Sequence, residues 1–218
     1  MRKLSNSRDR VFLMIKAIIF DVDGVLIDAD FSRFEKYRIL CKEFNGIDID
    51  TLEADIKSPE YSGVDWLCNK HNLGDAFKKR YADGITVPTE FYSSYPNTKH
   101  TLRLLKEMGI RLIAYSAAEE KLTIEKLEHN KIDQLFEAFF CGNTGDSNNK
   151  EQNIVGALAY LDMDPSEVAI VDDRIQAGIV IGKKYGLTRI RINQGVHKNN
   201  EYVPDYTIET LSELGGLL

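Results

Sequence analysis

The stretch KAIIFDVDGVLID, residues 16–28, joins a run of apolar residues to two closely spaced carboxylates. Residues Ala17–Phe20 predict a strand that is buried on both faces, because they are apolar without alternation. Asp21 and Asp23 follow at the end of this strand, with Gly24 directly behind them. A turn needs only one side chain of the Asp or Asn type to bond its own backbone. The second carboxylate therefore indicates a chemical role for this strand end.

Further apolar runs recur along the chain, and helical patterns lie between them. In the helical pattern TLRLLKEMG, Leu102, Leu105 and Met108 share one face, and Gly109 is placed to end the helix. Buried strands that alternate with helices are typical of a parallel sheet covered on both faces, with right-handed crossovers. The sequence therefore predicts an α/β fold, a Rossmann-like doubly wound parallel sheet. Its strands after the first are predicted at Ile110–Tyr115, Ala138–Phe140, Val168–Val171 and Thr188–Ile192.

The alternation is interrupted between about residues 29 and 95, where no comparable apolar strand pattern occurs. The segment FSRFEKYRILCKEF instead predicts an amphipathic helix, whose apolar face is formed by Phe34, Tyr37, Cys41 and Phe44. Because this insertion follows the acidic strand end directly, we expect it to cover the crevice at the strand ends. The predicted domains are a Rossmann-like core of residues 14–28 and 96–218, an α-helical cap of residues 29–95, and an N-terminal extension of residues 1–13.

Composition and charge restrict the class of protein and its partners. The 218 residues, 43% hydrophobic and 28% charged, suit a globular protein with a sizeable core. A formal net charge of −6 disfavours nucleic acid, and no apolar run reaches the roughly 20 residues of a transmembrane helix. Three widely spaced cysteines without a CxxC pair indicate reduced thiols, and no signal-peptide cleavage site follows the first residues. We expect a cytoplasmic protein without a membrane or nucleic-acid partner.

Polar side chains follow the other predicted strands. Ser116 follows the second strand, Lys150 opens a predicted helix, and Asp172 and Asp173 follow the fourth strand. Because the carboxyl ends of neighbouring parallel strands meet at one crevice, we expect these groups to converge with the first two carboxylates. Each group also has a purely structural interpretation: a capping box from Ser116 to Glu119, a solvated lysine, and a turn with an N-cap at the Asp pair.

The electrostatics of such a cluster require positive charge. Two carboxylates about 5 Å apart repel by roughly 3 kcal/mol at an effective dielectric constant of about 20. Four converging carboxylates are less favourable still, and Lys150 supplies a single positive charge. A hard divalent cation relieves the repulsion, and Mg²⁺ typically takes one or two carboxylates, water and a substrate phosphate. The cluster therefore predicts a metal ion and an anionic substrate.

The same residues form a recognisable set of motifs. DVDGVLID resembles the first motif, DxDGxL, of the haloacid dehalogenase superfamily of phosphohydrolases, and Ser116 and Lys150 look like its second and third motifs. VAIVDDRIQAGIVIGKKYG resembles the acidic fourth motif, in the variant with two adjacent acids. The resemblance runs from about Ile15 to the C-terminus. It implies a Rossmann-like core with an inserted helical cap.

The resemblance also implies a covalent mechanism and a set of ligands. Asp21 is the implied nucleophile, which forms an aspartyl-phosphate, and Asp23 is the implied proton donor and acceptor. Ser116 and Lys150 are implied to hold the phosphoryl oxygens. The implied ligands of Mg²⁺ are Asp21, the backbone carbonyl of Asp23, and Asp172 or Asp173.

The predicted function is that of a Mg²⁺-dependent phosphohydrolase, a phosphatase acting on a small phosphorylated metabolite. Asp23 favours a phosphate ester over a halide, because a halide leaves without a proton whereas an alkoxide does not. Two alternatives stay open: a phosphomutase of the same superfamily, and a non-catalytic regulatory module that depends on metal or phosphate. The sequence leaves open the identity of the substrate, the cap residues that select it, and the oligomeric state.

Overall fold

The computed structural model describes residues 15–44, 48–58, 63–85, 87–142, 149–194 and 203–217, so the expected extension at residues 1–13 lies outside the described residues. Six parallel strands form one sheet in the order β3-β2-β1-β4-β5-β6. This confirms the predicted α/β fold class. The strands are β1 (Ala17–Asp21), β2 (Arg111–Glu119), β3 (Ala138–Gly142), β4 (Val168–Asp172), β5 (Thr188–Ile192) and β6 (Tyr206–Ile208).

The five predicted strands are β1 to β5, and β6 is an addition to the prediction. Strand β6 pairs with β5 at the edge of the sheet and has three residues, of which Ile208 alone is buried. So short an element contains no apolar run, and periodicity could not reveal it.

Each face of the sheet has its own apolar core. Ile18 and Phe20 of β1 pack into one cluster, whereas Ala17 and Ile19 pack into the other. Because successive side chains of a strand point to opposite faces, both sets must be apolar when helices cover both sides. This explains the continuous apolar runs from which the strands were predicted.

Helices cover both faces and fill the interruption between β1 and β2. None of the helices in the described ranges is both long and apolar enough to cross a membrane. An irregular helical turn, Ile175–Ile179, precedes α8. The α-helices are α1 (Ala29–Phe44), α2 (Ile49–Ile56), α3 (Val64–His71), α4 (Asp75–Ala82), α5 (Thr98–Glu107), α6 (Glu120–His129), α7 (Asn149–Leu161), α8 (Val180–Lys184) and α9 (Leu214–Leu217).

Helices α1 to α4 have an apolar core of their own, separate from the two cores of the sheet. Its buried members include Tyr37, Leu40, Leu52, Leu67 and Phe77. The two stretches that connect this helical segment to the sheet domain are paired with each other. The backbone N–H of Asp28 donates to Ser93 at 2.8 Å, and that of Tyr95 donates to Leu26 at 3.1 Å.

One predicted side-chain position on a helix face is wrong, and another is only partly buried. Met108 lies just beyond the end of α5 and is 45% exposed, although Leu102 and Leu105 are buried. Phe44, the last residue of α1, is 39% exposed, but its ring still packs edge-on against Phe77 of the helical core, with 5.6 Å between the ring centres. Gly109 does end α5 as predicted, with a φ of +82° that a side chain disfavours.

Candidate active site

The carboxyl ends of β1 and β4 bring three buried carboxylates together. Asp21 is the last residue of β1, Asp172 is the last of β4, and Asp173 follows it. Because β1 and β4 are hydrogen-bonded neighbours, their ends open on the same edge of the sheet. One oxygen atom from each of the three carboxylates lies within 4.8 Å of the others. The predicted convergence of these residues is therefore present in the structure.

Lys150 extends from the first turn of α7 into this cluster. Its ammonium group lies 2.5 Å from Oδ2 of Asp21 and 3.5 Å from Oδ2 of Asp172. Only 9% of Lys150 is exposed, so the interpretation as a solvated lysine is wrong. Burial alone would lower the pKa of Lys150, but the carboxylates of Asp172 and Asp21 outweigh it and raise the pKa. Lys150 therefore stays charged beside Asp21.

Asp172 is held by several protein donors. The backbone N–H groups of Arg174 and Gly178 donate to it at 2.7 and 2.9 Å, and the hydroxyl of Tyr115 donates to Oδ2. The bond from Arg174 is that of a turn, so this part of the structural interpretation holds for Asp172, but the helical turn that follows begins after Arg174 without a side-chain cap bond. Although burial opposes it, Lys150 with these donors holds the pKa of Asp172 below its ordinary value. Asp172 is thus a fixed carboxylate with little capacity left for a ligand.

Asp173 differs from its neighbour, because its Oδ1 is buried and has no hydrogen-bond partner among the described residues. A buried polar atom without a partner is rare and needs an explanation. The carboxylate also lies against the backbone of Gly24, which has a φ of +90°. A Cβ at Gly24 would lie 2.6 Å from Oδ2 of Asp173. The glycine therefore provides the space in which Asp173 approaches β1.

Burial and neighbouring negative charges raise the pKa values of Asp21 and Asp173. Burial, with the charge of Asp172, raises the pKa of Asp21 to about 7 even though Lys150 acts in the opposite direction. Burial and the charges of Asp172 and Asp21 raise the pKa of Asp173 well above its ordinary value. Without a cation the cluster thus holds protons that a bound cation would displace.

Asp23 lies outside the three-carboxylate cluster and is paired with Lys126 of α6. The ammonium group of Lys126 donates to both carboxylate oxygens, at 2.7 and 2.9 Å, and also lies 4.8 Å from the centre of the Tyr92 ring. Burial favours the neutral acid, but Lys126 outweighs it and holds the pKa of Asp23 below its ordinary value. Lys126 therefore fixes the orientation of the Asp23 carboxylate, whereas Asp21 is bound by Lys150.

Ser116 lies near the end of β2 and is buried. Its hydroxyl accepts from the N–H of Ala118 at 3.0 Å, and the side chain of Asn153 donates to its carbonyl at 2.8 Å. The capping box from Ser116 to Glu119 is wrong, because α6 begins at Glu120 and its N-cap, Glu119, makes no side-chain cap bond. The register between β2 and β3 shifts between Ser116 and Glu119, which separates the serine from the helix.

The known proteins that this chain resembles identify its family. A model of haloacid dehalogenase-like hydrolases matches residues 18–192, which contain every residue of the site described above. The chain belongs to this family. Within it, the strand end with Asp21, Asp23 and Gly24 is the DxDGxL motif, and the predicted membership is confirmed.

Curated relatives of this haloacid dehalogenase-like hydrolase include phosphatases. A glyceraldehyde 3-phosphate phosphatase from Methanocaldococcus jannaschii is 29% identical over an alignment of 225 residues, gaps included, and the match covers 92% of this chain and 96% of the relative. A phosphoglycolate phosphatase from Aquifex aeolicus is 26% identical over an alignment of 210 residues, gaps included, and the match covers 94% of this chain and 97% of the relative. Family and relatives together confirm the prediction of a phosphatase-type enzyme of this superfamily.

A solved structure supports the fold independently. The HAD-superfamily hydrolase of subfamily IA from Geobacter sulfurreducens superposes with a TM-score of 0.70, and the match covers 94% of this chain and 96% of that chain. Because the two sequences are only 17% identical, this likeness shows the fold alone. It confirms the Rossmann-like arrangement around the site of this haloacid dehalogenase-like hydrolase.

The donor set fits a hard divalent cation. All candidate ligand atoms in the cluster are carboxylate oxygens, which Mg²⁺ prefers, and Oδ1 of Asp173 still lacks a partner among the described residues. When all four carboxylates at this edge of the sheet are ionised, their negative charge exceeds the positive charge of the two buried lysines, Lys126 and Lys150. A divalent ion would reduce this excess.

Two residues of this hydrolase contact the site but were missed by sequence reasoning. Lys126 pairs with Asp23 across 103 positions of the chain, and Tyr115 donates to Asp172. Lys126 had a weak signal: it shares the buried face of α6 with Thr123 and Leu127, where a lysine is unusual. Tyr115 had none, because an aromatic residue at the end of a buried strand is ordinary.

Proposed function

We propose that this protein is a Mg²⁺-dependent phosphohydrolase that hydrolyses a small phosphorylated metabolite through an aspartyl-phosphate intermediate. The observation that carries the proposal is the position of Asp21. Its carboxylate is buried at a strand end, bound by Lys150 at 2.5 Å, and lies beside a carboxylate oxygen without a partner among the described residues. The residues that we propose as nucleophile, phosphate-binding cation and metal ligand lie close together, which supports the proposal.

In the first step, a carboxylate oxygen of Asp21 bonds to phosphorus while the bond from phosphorus to the ester oxygen breaks. Asp23 must enter this step as the neutral acid, which requires its pair with Lys126 to loosen when the substrate binds, and it then gives its proton to the departing ester oxygen, which leaves as an alcohol. In the second step, water attacks phosphorus and gives a proton to Asp23, and the bond between Asp21 and phosphorus breaks. Inorganic phosphate is released, and both side chains return to their starting state.

Lys150 and Ser116 are assigned to the phosphoryl oxygens during both steps. Lys150 stays protonated between the carboxylates and offsets the charge that Asp21 and a phosphate monoester bring together. Ser116 is buried at the neighbouring strand end, where its hydroxyl can donate a hydrogen bond while accepting one from the backbone of Ala118. The phosphoryl group would thus be held by protein donors on the side of β2.

Asp21, the backbone carbonyl of Asp23 and Asp173 would hold Mg²⁺. When bound, the ion supplies charge that stabilises the phosphoryl oxygens of the transition state. Of the acidic pair, Asp173 is assigned as the direct ligand because its Oδ1 has no hydrogen-bond partner among the described residues. Asp172 is assigned as the support that orients Lys150, because Tyr115 and two backbone N–H groups already hold it.

Residues 29–95 are assigned as a cap over the crevice, and residues 14–28 and 96–218 as the catalytic core. Two observations support this division. Helices α1 to α4 have a separate apolar core, and the paired stretches around Asp28 and Tyr95 form a narrow connection to the sheet. A cap that closes over the bound ester would exclude bulk water from the reaction.

The relatives support a small phosphorylated substrate. They are named as phosphatases of glyceraldehyde 3-phosphate, phosphoglycolate and phosphorylated carbohydrates. For this chain we assign the same broad class, a metabolite carrying a phosphate ester. The buried thiols of Cys41 and Cys68 fit the reducing conditions of the cytoplasm, where such metabolites occur.

The test is hydrolysis of p-nitrophenyl phosphate and of 2-phosphoglycolate by the purified protein, with Mg²⁺ or with EDTA. We expect turnover that requires Mg²⁺ and falls to background in Asp21→Asn. Asp83→Asn, which changes an exposed carboxylate of the helical segment, is the matched control and should keep full activity. Activity in Asp21→Asn equal to that of the control would refute the assignment of the nucleophile.

The two alternative functions give different results in the same assay. A phosphomutase would turn over slowly on both esters and would transfer the phosphoryl group between positions of a sugar phosphate. A regulatory module would hydrolyse neither ester and would keep a phosphoryl group on Asp21 for hours after treatment with acetyl phosphate.

A further inference from the structure

Helix α1 contains a lysine whose position has no explanation within the fold. Lys36 is half-buried, and it shares one helix face with Ser32 and Leu40, four residues before and after it, which are both buried. Among the described residues it makes no hydrogen bond and no ion pair. The neighbouring cations of the same helix do have partners: Arg33 bonds Asp30 at 2.6 Å, and Arg38 bonds Glu35 at 3.1 Å.

The surroundings of Lys36 have an excess of positive charge. Lys36 lies within electrostatic range of Asp23, Lys126 and Arg33. The carboxylate of Asp23 is already bonded through both oxygens to Lys126, and Arg33 is paired with an acid of its own. The positive charge of Lys36 is therefore not paired with a carboxylate among the described residues. Burial, followed by the charge of Lys126, lowers the pKa of Lys36.

The position of Lys36 relates it to the leaving group of the substrate. If Asp23 protonates the departing ester oxygen, as the proposed function requires, that oxygen must lie within hydrogen-bond distance of its carboxylate. The phosphoryl group occupies the side of Asp21 and Lys150. The remainder of the leaving group would then lie on the side of Asp23, within electrostatic range of Lys36, which has no hydrogen bond or ion pair among the described residues.

We propose that Lys36 is a specificity residue that binds an anionic group on the leaving group of the substrate, a carboxylate or a second phosphate. This inference rests on the proposed phosphohydrolase function. An anion at this position would complete the charge balance around Asp23 and supply a charge-assisted hydrogen bond to the ammonium group. Neutral and cationic leaving groups would leave Lys36 uncompensated in a half-buried site.

The experiment compares matched phosphate esters. The carboxylate arm sets 2-phosphoglycolate against ethyl phosphate, and the second-phosphate arm sets propane-1,3-diol bisphosphate against propyl phosphate. For each pair, the ratio of kcat/KM for the anionic ester to kcat/KM for the neutral ester is measured with Mg²⁺. The variants are Lys36→Met, Lys36→Arg as the conservative replacement, and Lys42→Met, which removes an exposed lysine of the same helix.

We expect the wild-type enzyme to prefer the anionic ester in at least one arm, and that arm identifies the anion. In Lys36→Met, this ratio should fall by about 10- to 100-fold, the effect of losing one hydrogen bond between charged groups. Lys36→Arg should retain most of the preference, and Lys42→Met should leave it unchanged.

The outcomes separate this inference from the proposed function. If the wild type hydrolyses neutral and anionic esters equally well in an Asp21-dependent reaction, the specificity role of Lys36 is wrong and the phosphatase function stands. The same conclusion follows if Lys36→Met lowers kcat/KM for both members of a pair by the same factor. If no ester is hydrolysed in an Asp21-dependent reaction, the proposed function fails and the inference fails with it.

Discussion

Replacement of Gly24 by alanine tests the link between the first motif and the metal site. The new Cβ would lie 2.6 Å from Oδ2 and 2.7 Å from Cγ of Asp173, whereas ordinary contacts begin at 3.4 Å. The carboxylate must therefore move by about 0.8 Å away from β1, as judged from these distances. The backbone of Gly24 also has a φ of +90°, which costs a residue with a side chain about 1–2 kcal/mol.

The backbone strain and the displacement of Asp173 in Gly24→Ala are detected by different measurements. Backbone strain should lower Tm by roughly 2–8 °C, because 1 kcal/mol corresponds to about 2–4 °C for a chain of this size. Displacement of Asp173 should raise the Mg²⁺ concentration for half-maximal activity by about 10- to 100-fold, the usual penalty for disturbing a metal site. Titration of p-nitrophenyl phosphate hydrolysis with MgCl₂ measures the second effect.

Gly109→Ala separates strain from displacement. Gly109 has a φ of +82°, but a Cβ there would meet no atom within 4 Å. This variant should lose a similar amount of stability and keep the Mg²⁺ requirement of the wild type. If both variants show the same Mg²⁺ dependence, the contact between Gly24 and Asp173 has no part in metal binding and the assignment of Asp173 is refuted.

Two further predictions concern proton transfer and charge. Asp23→Asn should lower kcat/KM for ethyl phosphate by about 100- to 10,000-fold, but much less for p-nitrophenyl phosphate, whose leaving group needs no proton. Equal losses on both esters would contradict the acid role. In EDTA, thermal melts should show stability falling from pH 5 to about pH 7 and levelling off above it, because folding raises the pKa of Asp21 from 3.8 to about 7. The folded state binds the extra proton in that window, so the free energy of unfolding falls by about 1.4 kcal/mol per pH unit. Mg²⁺ should therefore stabilise the protein more at pH 8 than at pH 6, and a pH-independent shift would exclude displacement of that proton.

The sequence predicted the strands whose residues are buried on both faces of the sheet. Strands β1 to β5 were visible because both faces of a covered parallel sheet must be apolar, which produces continuous runs. Strand β6 was missed because it lies at the edge and buries only Ile208. Met108 was misplaced for a related reason, since helical periodicity does not show at which residue the helix leaves the core.

Within the site, the sequence determined which residue types stand at the strand ends, because local order places Asp21, Ser116 and the Asp172–Asp173 pair there. Tertiary structure alone decided how their partners are distributed. Asp172 is held by donors from other elements and Asp173 is not, and Lys126 reaches Asp23 from 103 residues away. Periodicity and motifs record interactions between near neighbours in the chain. Which cation compensates which carboxylate depends on distances through space, and these are set only when the helices pack on the sheet.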